Sequence, residues 1–92
     1  METIQLLRNR IDALNLQLLG LLSERARLAE EIGEQQTQLG TAHYDPVRES
    51  EMLAALTAAN QGPFSDGVVK SLFKSIFQAS MQLEVKRVNS VS

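Results

Sequence analysis

The 92-residue chain contains no cysteine and no tryptophan, a single histidine, two prolines, and only one tyrosine and three phenylalanines. Without cysteine there can be neither a disulfide framework nor a thiolate metal site, and one histidine is too few for a metal cluster of the usual kind. No cofactor is expected. Nine Lys and Arg against eleven Asp and Glu give a net charge of −2 without a block of one sign. That balance provides no electrostatic footprint for nucleic acid. No apolar run approaches a membrane span, and the start, METIQLLRNR, mixes charge into its apolar spacing instead of setting a basic segment before an apolar one. The expectation is a cytoplasmic protein with neither nucleic-acid nor membrane partners. Prolines are absent before Pro46, which leaves a long opening stretch with nothing to break a helix.

In that stretch Ile4, Leu7, Ile11, Leu14, Leu18, Leu21, Leu28 and Ile32 repeat at three- and four-residue spacing, with Arg25 where another leucine is due. Thr3 is placed to cap the start and Gly40 to stop the helix after Leu39. A helix over 4–39 is roughly 50 Å long. A compact globule of this chain length has a radius of gyration of only about 12 Å and a diameter near 30 Å. The far half of the helix can bury its seam only against another chain, so the pattern predicts a homodimer of interlocked long helices. Gly33 costs helix propensity and marks either a weak point or a close backbone approach.

Asp45-Pro46 is a helix start, with Asp as the cap and Pro in the first turn. It predicts a second helix over 46–60. Gln61-Gly62-Pro63 breaks the chain, Phe64 and Ser65 prepare a third helix over 66–86, and the tail from Val85 to Ser92 loses periodicity, as a frayed end or the start of a linker would. The expected fold is all-α, a single domain over 1–92 with three helices per chain. His43, in the connection between the first two helices, is expected to face solvent.

Each helix carries polar groups where its period calls for burial: Arg8 at the seam edge and Arg25 in the seam, Asp45, Arg48 and Glu49 on the second helix, Ser80 and Glu84 on the third. Each has an ordinary explanation alone. Arg25 could pair with Glu24 or Glu31 and set register, Arg48 and Glu49 could lie solvated in a first turn, and Ser80 could bond the carbonyl four residues back. Together they outline a guanidinium-rich cavity in a helical bundle, suited to a small molecule with two carboxylates. Periodicity does not name that molecule.

LRNRIDALNLQLLGLLSERARLAEEIG, YDPVRESEML and LFKSIFQASMQLE together resemble the all-helical class of chorismate mutases over nearly the whole chain. The YDPVRE and GPF segments look most like the mutase domain fused to the front of DAHP synthase. The resemblance implies an intertwined dimer that rearranges chorismate to prephenate, without cofactor or covalent intermediate, in aromatic amino-acid biosynthesis. It implies that Arg25, and Arg8 from the other chain, clamp carboxylates with Arg48 in support. Glu49 then accepts from the ring hydroxyl, Asp45 contributes at the start of the second helix, and Ser80 holds the ring carboxylate. Two positions depart from the pattern. Gln36 stands where Gly-x-x-Lys would supply a cation to the ether oxygen, and no lysine precedes Lys70. Glu84 takes the other ether-oxygen position, where an ionised carboxylate would repel the charge it should stabilise. These departures point to reduced activity, or alternatively to a non-catalytic module that senses chorismate or prephenate for a DAHP synthase. An isochorismate lyase shares the implied fold, and a helical dimer without a small-molecule site would leave the coincidence of motifs unexplained.

Overall fold

The computed structural model describes residues 3–91, with side chains described as far as Glu84. It contains three helices: α1, Ile4–Leu39; α2, Pro46–Ala59; and α3, Asp66–Val91. Their ends follow from local chemistry. Thr3 accepts from the Leu6 amide at 3.2 Å, and Asp45 Oδ1 accepts from the Arg48 amide at 3.0 Å. Ser65 Oγ accepts from the Val68 amide at 3.2 Å. Gly40 closes α1 at φ 70°, where a side chain would be strained, and the Thr41 amide reaches back to the Gln36 carbonyl at 2.9 Å. Asn60 ends α2 and ties the next turn together, donating to the Phe64 carbonyl at 2.8 Å and to Asp66 at 2.9 Å. Helix α3 continues to Val91 instead of ending near residue 86, since neither glycine nor proline occurs in it after Gly67. None of the described helices is long and apolar enough to cross a membrane.

Helix α3 packs on both α1 and α2, while α1 and α2 do not pack on each other. A gap therefore opens between the second half of α1 and the start of α2, with α3 behind it. The close crossing of α1 and α3 uses small residues. Ala29 is 8% exposed, and a Cβ on Gly33 would lie 2.8 Å from both Cβ and Cγ of Glu84 and 3.2 Å from its Cα. Gly33 is thus the place of close approach. Gly33→Ala gains about 1 kcal/mol of helix propensity, but the clash involves atoms that no rotamer change of Glu84 can remove, and overpacking of this kind costs about 1–3 kcal/mol. We expect a lower melting temperature, because Glu84 and the α3 backbone behind it are displaced. A variant that melts at or above the parent's temperature would show that the two helices part without cost.

The chain measures 56 × 27 × 14 Å with a radius of gyration of 16.7 Å, well above the compact value. The excess is the first half of α1, where Leu7, Ile11, Leu14, Leu18 and Leu21 are all 45% or more exposed.

Candidate active site

A cavity of about 470 Å³ occupies the gap between the helices, a size typical of small-molecule sites. Arg25 and Gln36 line it from α1, Asp45, Arg48 and Glu49 from the start of α2, and Ser80 and Glu84 from α3. These are seven of the eight candidate residues read from the sequence. Leu28, Ala29, Ile32, Met52, Phe77 and Met81 supply its apolar walls. Arg8 is not among the lining residues. It sits on the exposed half of α1, seventeen residues before Arg25, which is about 25 Å along the helix axis.

Arg25 is held from two directions. Its Nη1 donates to Ser80 Oγ at 2.7 Å, and its guanidinium lies 5.4 Å from the centroid of the Phe77 ring, whose face attracts cations. Ser80 passes its own hydroxyl proton to the Ile76 carbonyl at 2.9 Å, the back-bond expected of a helical serine. Its oxygen is therefore free to accept from Arg25. The contact across the helices is to a hydroxyl and not to a carboxylate, so it orients the guanidinium without neutralising it. Phe77 is 6% exposed, which makes this orientation a property of the core. Asp45 spends one oxygen on its cap while lining the cavity, so the same residue that starts α2 sets the position of Arg48 and Glu49 one turn on. Arg48 is exposed and Glu49 half-buried.

At the opposite end, Gln36 Oε1, His43 Nδ1 and Glu84 Oε2 are buried and have no hydrogen-bond partner among the described residues. Burial pushes the Glu84 carboxyl above its ordinary pKa, and His43 and then Arg25 pull part of the way back. Gln36 presents an amide that can donate or accept according to which way it is turned. His43 corrects the expectation of a solvent-facing loop residue. Its side chain is 23% exposed and its Nδ1 is 4.0 Å from Glu84 Oε2. The reason is the Gly40 turn, which reverses the chain so that His43 returns over the last turn of α1, where Nε2 meets Thr37 Oγ1 at 3.3 Å. Connections carry no hydrophobic period, so sequence spacing contained no signal for it beyond closeness to the Asp45 cap.

The family profile described as chorismate mutase type II matches residues 7–85. The chain is similar to a chorismate mutase of Thermus thermophilus (form II), with 59% identity and a TM-score of 0.89 over 90% of this chain and 94% of that one. Among curated proteins it is 38% identical to the bifunctional chorismate mutase/prephenate dehydratase of Pseudomonas aeruginosa over 90% of this chain. It is 32% identical to the T-protein of Haemophilus influenzae over 98%. The chain spans about a quarter of the length of these curated relatives. They overturn the expected link to DAHP synthase, both as the fused relative and as the protein to be regulated, because the second enzyme named in the bifunctional relatives is prephenate dehydratase. The misleading motifs have structural causes: YDPVRE contains the Asp45 cap, and GPF lies in the turn tied by Asn60. Local helix-start and turn chemistry does not report which enzyme a domain is fused to.

Proposed function

This chain belongs to the type II chorismate mutase family, and we propose that its cavity rearranges chorismate to prephenate within a homodimer. The observation that carries this reading is the convergence of Arg25, Arg48 and Ser80 with Gln36 and Glu84 on one cavity of small-molecule size. Chorismate is a flexible dianion whose rearrangement is intramolecular. Catalysis then consists of holding the compact reactive conformer and stabilising negative charge as it develops on the breaking ether oxygen. Arg25, fixed by Ser80 and Phe77, is the preorganised carboxylate clamp, supported by Arg48, while Ser80 helps hold the ring carboxylate. Glu49 accepts from the ring hydroxyl, and Asp45 contributes beside it. Gln36 and Glu84 face the ether oxygen.

The exposed apolar stripe on the first half of α1 supports pairing of two chains as a continuous helical interface. Pairing brings Arg8 of a second copy to the cavity that its own chain cannot reach. One domain then serves two sites per dimer, in a cytoplasmic enzyme of aromatic amino-acid biosynthesis.

The test is consumption of chorismate by the purified chain with identification of the product. Prephenate is expected. Binding without conversion would overturn the reading in favour of a ligand sensor, and turnover of isochorismate with release of pyruvate would replace it with a lyase. A pH profile examines the site itself. Only the protonated Glu84 carboxyl can donate to the ether oxygen, and its ionised form sets like charge beside developing charge. With its pKa raised by burial, the protonated fraction grows as pH falls, so turnover increases from pH 8 towards 5. Glu84→Gln has a donor at every pH and flattens the profile. A wild-type rate that is flat or rises with pH would remove Glu84 from the reacting end of the cavity.

A further inference from the structure

Three buried acceptors share the reacting end of the cavity. Thr37 gives its one hydroxyl proton to the Gly33 carbonyl at 2.9 Å, so its oxygen accepts from His43 Nε2 and leaves Nδ1 of the neutral ring with a bare lone pair. Nδ1 and Glu84 Oε2 lie 4.0 Å apart. Both are buried without a hydrogen-bond partner among the described residues, and so is Gln36 Oε1. Gln36 belongs to the same cluster, since it precedes the Thr37 that holds His43 and follows by one turn the Gly33 packed on Glu84. Buried acceptors cost stability until a donor joins them.

The spacing selects the kind of donor. A gap of 4.0 Å is too long for a hydrogen bond, whereas one nitrogen about 2.8 Å from each atom spans it at an angle of about 90°. A metal ion about 2.1 Å from each would need an angle of about 150°, wider than tetrahedral or cis-octahedral coordination allows. A water has two protons, and three acceptors leave none for a substrate. An ammonium ion has four, enough for three acceptors and one further oxygen. Charge agrees with this choice. Arg25 and Arg48 face three carboxyl groups around the cavity, those of Asp45, Glu49 and Glu84, and a bound dianion adds two more negative charges.

We propose that Gln36, His43 and Glu84 form a subsite for a small ammonium cation, which enters with the dianion and gives its remaining hydrogen bond to the ether oxygen. The inference rests on the reading of the cavity as a chorismate site and names an activating ion for it. The ion makes and breaks no covalent bond. It places a charged donor where negative charge develops.

Turnover is measured at pH 8, the end of the range where the protonated Glu84 is scarcest, in ammonium, potassium or tetramethylammonium chloride at equal ionic strength. Ammonium should raise the rate on the order of tenfold, part of the 10²–10³ that a fixed donor supplies. Potassium and tetramethylammonium have no proton to donate and should leave it unchanged; equal rates in ammonium and potassium would overturn the proposal. His43→Ala removes one of the three acceptors and should raise the half-saturating ammonium concentration by about tenfold. Gln36→Lys carries its own ammonium to this place and should lose the response. A response unchanged in both variants would put the ion elsewhere and overturn the subsite. Binding is read without catalysis from melting of the wild-type protein with a dianionic analogue present: the melting temperature should be higher in ammonium than in potassium, and the difference should vanish in Gln36→Lys. A chain that shows this difference but does not convert chorismate defeats the functional reading and keeps the subsite, while conversion without any ammonium effect does the reverse.

Discussion

Arg8→Ala and Arg25→Ala proteins, each nearly inactive alone, should regain about a quarter of wild-type turnover when mixed in equal amounts, unfolded and refolded together. On the proposed reading, each substitution removes one positioned donor from the dianion, a loss on the order of 10²–10³ in rate. Random pairing makes about half of the dimers mixed, and in each mixed dimer one site collects both defects and the other neither. This outcome depends on Arg8 crossing between chains. The geometry supporting it is the distance of Arg8 from its own cavity, together with the exposed Leu7, Ile11, Leu14 and Leu18 beside it. Were both arginines to serve the same chain's site, no mixture would exceed its better parent. Were Arg8 only a solvated edge residue, Arg8→Ala alone would keep its activity. Sedimentation of each variant should still give the dimer, because neither substitution shortens the apolar stripe.

What could be read from the sequence divides according to how local its cause is. Helix ends were legible at Thr3, Gly40, Asp45 and Ser65 because each cap is set by one residue and the next turn. The all-α fold with one long first helix followed from an apolar period unbroken by proline. Departures from that period marked Arg25, Ser80 and Glu84, which do line one cavity. The apolar period could not show that Arg25 would be oriented by Ser80 and Phe77 rather than by Glu24 or Glu31, since this depends on how α3 crosses α1. His43 was invisible for a related reason: its position comes from the reversal at Gly40, and a loop residue has no face to be read. Gly33 was recognisable as anomalous, but only the crossing identifies Glu84 as its neighbour.

Restoring a cation at position 36 is expected to be the largest gain available to this site. Gln36→Lys should raise turnover by about 10² or more, comparable to supplying one preorganised donor at an oxygen where charge develops. An ammonium makes a hydrogen bond roughly twice as strong as a neutral amide and also carries the charge. The setting is favourable because Gln36 Oε1 is already buried and unpartnered, so the side chain occupies space the cavity has reserved for a polar group. The new charge also meets Glu84, which it would hold in the ionised form, competing with His43 for the same carboxylate. The alkaline fall in rate should consequently flatten, since a lysine donates at every pH at which the protein is folded. Without substrate, a half-buried ammonium in a cavity already lined by Arg25 and Arg48 costs stability, so the variant should melt lower when empty and recover on binding a dianionic analogue. Unchanged turnover with an unchanged melting temperature would mean that residue 36 does not reach the reacting atoms, and the catalytic role of this end of the cavity would fall with it.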